Sequence, residues 1–221
     1  EIPAGKAALQ KEWIKLESKK AWGLDNPREY DEVSADASRA GKKAHFGRIY
    51  PLCHIKHSEL SQDQWSYKGR VVFQGNNVKD ESGFSAVFSE QGTSASHLAA
   101  AKFLDAIARM DGHDGQDSDA MSAYTQVQHT GEETWIFIPK DRQPKHWAKF
   151  RNPVCRLKLN LYGHPLAGLH WEKHCKQALT TCGFQPVTGW ECLYQHKEAK
   201  LFLSVYVDDF KMAGRKESLA P

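Results

Sequence analysis

The chain has 221 residues, 40% of them hydrophobic and 26% charged, with a formal net charge of +3; this length can bury a real core and suits one large domain or two small ones. No stretch reaches the roughly 18 consecutive apolar residues of a membrane span, and the N-terminus lacks a charged-then-apolar signal pattern, so a soluble protein without a membrane partner is expected. A pI of about 8.5 is only mildly basic, so nucleic acid would have to be met by a local cleft rather than by a uniformly basic surface.

In chain order, residues 4–22 and 28–40 have helical composition and are separated by the turn Gly23 to Pro27. Strand-like stretches follow at 44–55 and 65–74, an expected antiparallel pair. Thr93 or Ser94 can cap a helix whose Leu98, Ala101, Leu104 and Ala108 share a face. After Gly112 comes a strand ending at Asp119, then strands at 134–139 and 154–159, a helix from Leu166, and a closing hairpin of 190–196 with 201–207. Basic clusters lie at Lys11 to Lys20, Arg39 to Lys43 and Arg142 to Arg151. The last interleaves with Trp147 and Phe150, a mixture able to meet a nucleic-acid backbone and stack bases, though a solvated loop with one buried ring is the plainer reading.

The most telling residues are Asp208 and Asp209, which follow the apolar run from Leu201 to Val207. A buried strand has no cheap way to end in two negative charges, so a cation is expected beside them. Carboxylates at a strand end suit Mg²⁺, which binds through one or two carboxylates plus substrate phosphates. An ordinary hairpin turn explains Asp-Asp equally well. Asp119, before Ala123 and Tyr124, supplies a second carboxylate station, and two such stations are what a two-metal phosphoryl-transfer site needs; a helix N-cap is the alternative for Asp119 alone.

These residues resemble the reverse transcriptase of copia-type retrotransposons. Asp119, Ala123 and Tyr124 match the family's first motif, and Tyr206-Val207-Asp208-Asp209 matches its Tyr-Val-Asp-Asp motif in full. Between them, Val154-Cys155-Arg156-Leu157, Leu161-Tyr162-Gly163 and Trp171 follow the family's order. Upstream, Lys68-Gly69-Arg70-Val71-Val72 and Gly75 are similar to its fingers strand. The resemblance implies an α+β fold, the fingers and palm of a right-hand polymerase, with an antiparallel palm sheet, helices on one face, and truncation before the thumb. The expected division is 1–43 as a helical lead-in, 44–111 as fingers and 112–221 as an incomplete palm, without thumb or ribonuclease H domain. The absence of an initial Met fits a domain cut from a larger polyprotein.

The resemblance further implies RNA-directed DNA polymerase activity with two Mg²⁺ ions, or Mn²⁺, held by Asp119, Asp208 and Asp209. Lys68 and Arg70 would hold the incoming triphosphate, and Ala123, Tyr124 and Tyr206 would contact the nucleotide, the Tyr124 ring excluding a 2′-hydroxyl sterically. A solvated basic strand face accounts for Lys68 and Arg70 otherwise, and a core position for Tyr124. Implied partners are an RNA or DNA template with a DNA primer, dNTPs, and the integrase and ribonuclease H domains of the polyprotein. The implied location is intracellular, in cytoplasmic particles or the nucleus. One departure stands out: Leu-Tyr-Gly is followed by His164-Pro165-Leu166-Ala167-Gly168-Leu169, with Leu166 where the family carries a Gln near the nucleotide. That change and the truncation motivate a second reading, a non-catalytic relic that at most binds nucleic acid; a nuclease lacks the further acidic or His cluster it would need.

The five cysteines form no Cys-x-x-Cys pair and are odd in number, which points to reduced thiols. Ala167, Trp171, Cys175, Ala178 and Cys182 trace a helical stripe that should be buried. His170 and His174 stand one turn apart, but the Glu of a zinc-protease helix is replaced by Trp171, so a zinc site is not expected.

Overall fold

The computed structural model describes residues 2–89, 92 and 95–219. Its helices are α1 (Pro3–Ser18), α2 (Tyr30–Arg39), α3 (Leu98–Ala108) and α4 (Ala167–Thr181). Its strands are β1 (Arg28–Glu29), β2 (Ala44–Lys56), β3 (Ser66–Phe73), β4 (His113–Asp119), β5 (Glu133–Phe137), β6 (Pro153–Arg156), β7 (Gln185–Pro186), β8 (Leu193–His196), β9 (Leu201–Tyr206) and β10 (Asp209–Arg215). Among the described residues these strands make two five-stranded sheets in a mixed α/β fold. The chain divides into two compact units, Glu1–Ser89 with Gln128–Ala167, and Glu90–Val127 with Gly168–Pro221.

The first unit contains the sheet β1-β6-β5-β2-β3. The pair β2–β3 is antiparallel over eight residues, as expected of the two strand-like stretches, whereas β2 and β5 run parallel. Helix α1 covers β3: Trp13 and Leu16 pack with Val71, Phe73 and Ile49 in the largest core cluster. Alternation along β3 then puts Lys68 and Arg70 on the face away from α1. The first predicted helix stops at Ser18 because Lys20 takes a positive φ of 54°, and Trp22 instead bridges to Leu157. The second starts only at Tyr30, since Arg28 and Glu29 pair with Val154 and Pro153.

The second unit contains the fully antiparallel sheet β4-β10-β9-β8-β7. Its helices lie on opposite faces, which corrects the expectation that helices cover one face. Ala100 and Leu104 of α3 meet Leu193, Phe202 and Ala213, while Trp171 and Cys175 of α4 meet Tyr194, Leu201 and Leu203. Neighbours 193/194 and 201/202 therefore point to opposite faces, so both faces of this sheet carry apolar residues.

Three helix details differ from the sequence reading. The buried face of α3 runs through Ala100 and Leu104, with Ile107 and Ala108 packed against it, and Leu98 is 67% exposed. Its N-cap is His97, whose Nδ1 accepts from the Ala99 amide at 3.1 Å; Thr93 and Ser94 lie outside the described residues. On α4 the stripe is Trp171, Cys175 and Leu179, whereas Ala178 is exposed. Cys182 follows the end of α4 at Thr181 and is exposed, so it is not a core residue. No helix among the described residues is long and apolar enough to cross a membrane.

Candidate functional site

Strand β10 explains how two distant carboxylate stations meet. It lies between β4 and β9, in register with both: Asp209 stands opposite Asp119 on one side and opposite Tyr206 on the other. Since Tyr206 and Asp209 are a cross-strand pair, Val207 and Asp208 form a two-residue hairpin loop. Its first residue takes the left-handed conformation, Val207 φ +58°, which is costly for a β-branched side chain.

Two contacts hold that tip. The indole N–H of Trp171 donates to the Val207 carbonyl at 2.5 Å, and the Ala120 amide donates to the Asp208 carbonyl at 2.7 Å. Trp171 thus serves the site as well as the core, through a bond that helical spacing alone could not reveal. The hairpin reading of Asp-Asp is correct as geometry, and the same hairpin delivers the carboxylates.

One ligand oxygen from each of Asp119, Asp208 and Asp209 can be chosen so that all lie within 4.8 Å of one another. Asp119 and Asp209 are exposed and Asp208 is half-buried. Like charges directly opposite on neighbouring strands are destabilising, and this group is open to solvent and built wholly from carboxylate oxygen, the donor set that suits Mg²⁺ or Mn²⁺. The residues present therefore fit a divalent ion. His170 and His174 form no such group among the described residues; the His174 ring lies against Trp171 at 5.8 Å.

Around the carboxylates, Ser96, Leu98, Tyr206, Phe210 and Lys211 line a cleft of about 810 Å³ that also includes Asp119 and Asp209. Tyr206 is 57% exposed. Lys211, not foreseen from sequence, reaches Asp105 of α3 at 2.7 Å and Asp117 of β4 at 3.8 Å; the hydrogen bond to Asp105 raises its pKa above the ordinary lysine value. The missing signal was β10 itself, whose register opposite β4 puts Lys211 across from Asp117.

Ala123 is fully buried at the start of a 3₁₀ turn, Ala123–Gln126, introduced by Ser122 at φ +60°. Tyr124 is half-buried against the α4 side of the sheet. Cys175 and Cys192, deep in that core, have thiol pKa values pushed up to about 11 by burial, so both stay protonated and inert at neutral pH.

Lys68 and Arg70 belong to the first unit, on β3. The Arg70 guanidinium lies 4.3 Å from the Tyr162 ring centroid, which joins β3 to the Leu-Tyr-Gly segment. Leu166 is half-buried and its amide donates to His164 Nδ1 at 3.2 Å. Trp147, offered as a stacking residue, is 1% exposed and donates to the Leu24 carbonyl. It is the buried ring of that loop.

Residues 51–219 match the family described as reverse transcriptase (RNA-dependent DNA polymerase). The chain belongs to that family, and within it to the copia type. Among its relatives are the Gag-Pol polyproteins of transposons Ty1-DR4, Ty1-DR6 and TyH3 of Saccharomyces cerevisiae, each 31% identical over 75 residues, 34% of this chain. The matched stretch is 4% of each relative's length, so the chain corresponds to a small part of those polyproteins.

Proposed function

We propose that this chain is the fingers and palm portion of an RNA-directed DNA polymerase, adding deoxynucleotides to a primer 3′-hydroxyl. The fingers role is assigned to the first unit and the palm role to the second, a division that differs from the expected 44–111 and 112–221 by grouping 128–167 with the fingers and 90–111 with the palm. The observation that carries this reading is the pairing of Asp119 with Asp209 across β4 and β10, with Asp208 beside them in the hairpin loop.

Asp119, Asp208 and Asp209 would hold two Mg²⁺ ions, which when bound supply activation of a hydroxyl and charge neutralisation at a phosphate. The chain's own residues position the reactants. Lys68 and Arg70 are assigned to the triphosphate, where a guanidinium binds bidentately and an ammonium acts as a point charge. Tyr124 and Ala123 are assigned to the sugar of the incoming nucleotide, the ring leaving no room for a 2′-hydroxyl, and Tyr206 to the nucleotide contact. Phosphoryl transfer rests mainly on such positioning and charge stabilisation, so no nucleophilic side chain is required. Template, primer and the other polyprotein domains are the partners that follow, with an intracellular site of action.

The test is incorporation of deoxythymidine triphosphate on an RNA–DNA primer-template, titrated with Mg²⁺, for wild type and Asp119→Asn. Loss of incorporation by at least about 100-fold in the variant is expected, because a ligand of the reacting centre is removed. Equal rates would sink the assignment. Oligonucleotide binding that ignores both Mg²⁺ and the substitution, with no incorporation, would favour the non-catalytic relic suggested by Leu166.

A further inference from the structure

Positive charge is unequally divided between the units. The first carries 21 Lys and Arg against 15 Asp and Glu, a net +6, and the second carries 9 against 12, a net −3. Within the first unit the excess peaks from Lys140 to Lys158, where seven basic side chains share the segment with one carboxylate, Asp141.

Several of these charges are committed internally. Arg142 lies over the Trp13 ring and donates to Gln10, Arg151 pairs with Asp31 at 2.5 Å, and Arg156 pairs with Glu133 at 2.9 Å. Lys149 and Lys158 make no ion pair among the described residues, and both line the same cleft of about 520 Å³. His146, Arg28 and Arg156 add positive or protonatable groups to its wall, Phe150 and Trp135 add aromatic surface, and Asp25 is its one carboxylate. Lys149 rests over the Phe150 ring at 5.2 Å, which presents an ammonium and a π-face together. The Lys158 stem runs along the cleft wall beside Gly23, where an added Cβ would meet its Cε at an ordinary contact distance of 3.4 Å.

The cleft borders β1 and β6, whereas Lys68 and Arg70 sit on β3 at the opposite edge of the sheet. It is therefore separate from the residues assigned to the triphosphate. Two ammonium groups with no ion pair among the described residues are each able to meet a backbone phosphate, and the adjoining ring offers a face for a base; charge plus stacking is the combination that holds single strands without sequence preference. A simple anion would use the charge and leave the aromatic wall idle.

We propose that this cleft is a single-strand nucleic-acid contact of the first unit, with Lys149 and Lys158 on backbone phosphates and Phe150 beneath a base. The proposal rests on the reading that the chain handles nucleic acid.

Fluorescence anisotropy of a labelled oligouridylate, measured in EDTA over a series of salt concentrations, tests it. The variant Lys149→Ala/Lys158→Ala should bind about 5–10-fold more weakly, with its salt slope reduced by about 1.4, the contribution of two phosphates of a single strand. A charge-matched control elsewhere in the unit, Lys11→Ala/Lys20→Ala, should change affinity less than about twofold. Equal losses in the two variants would reduce the effect to overall charge, and unchanged binding in the cleft variant would remove the site. Polyphosphate bound as tightly as oligouridylate would replace a nucleic-acid contact with a plain anion site. A cleft variant that binds like wild type while wild type extends a primer would refute this contact alone. Failure of the Asp119→Asn comparison while the cleft variant loses binding would refute the polymerase reading alone.

Discussion

Asp119 and Asp209 are held face to face by the ladder between β4 and β10, with Asp208 close to both. In the absence of a cation this arrangement opposes folding, since like charges paired across strands repel. Asp209→Asn should therefore raise the thermal midpoint of the metal-free chain by about 1–3 °C while removing most of the stabilisation that Mg²⁺ gives wild type, because a ligand that binds only the folded state raises its stability. Differential scanning fluorimetry with and without Mg²⁺ checks both halves; a lower midpoint for the variant in EDTA would show that the carboxylate serves the fold rather than an ion. The three aspartates were legible in sequence from their motifs. Lys211 was not, because its meaning comes from lying across from Asp117 and within reach of Asp105, neither of which a local pattern contains. Trp171 was legible as a motif residue and a core residue, while its bond to the Val207 carbonyl needed the hairpin's position.

At the scale of elements, helical composition located α1, three- and four-residue spacing located α3 and α4 with part of their buried faces misplaced, and strand-like composition located the pair β2–β3. Such patterns failed where both faces are buried or where an element is short. The run after Asp209 has no strong alternation, yet Asp209–Arg215 is the strand that joins β4 to β9. Likewise, the expectation of helices on one face ignored that β8 and β9 carry apolar residues on both. A glycine shows how tightly one such pairing is set. Gly69 faces α1, and a Cβ there would come 2.5 Å from the Ala8 carbonyl oxygen and 2.7 Å from the Leu9 amide nitrogen, both backbone atoms that cannot swing away. Gly69→Ala should lower stability by about 1–3 kcal/mol through overpacking. Urea unfolding checks it: a midpoint equal to wild type would mean that α1 slides on β3 at little cost.

Over the whole chain, net charge and pH response are governed by different residues. The first unit combines its excess of surface lysine and arginine with a buried polar cluster: His129 contacts Asn160 at 3.2 Å and Thr134 at 2.9 Å, and the His164 ring lies 4.6 Å from it. His45 is 5% exposed, its ring against Phe88. Loss of solvation on burial is the largest influence on His129 and on His45, and it holds the pKa of each below the ordinary histidine value. Asn160, Glu132 and Glu81 act in the opposite direction, and Lys43 and Arg156 reinforce the lowering. Since the folded pKa values are depressed, the unfolded chain binds more protons below about pH 6.5. Stability should then be constant with respect to these groups above about pH 6.5 and fall progressively as pH drops from there toward their folded pKa values. Urea midpoints measured from pH 7.5 to pH 5 should decline in wild type and decline less steeply in His45→Gln/His129→Gln, where no proton can be taken up at either position. An identical slope in the two proteins would assign the acid sensitivity to the carboxylates, of which Asp36, its pKa lowered chiefly by its hydrogen bond with Arg28 and then by Arg39, is the nearest competitor, though its own loss belongs to lower pH than that of the histidines.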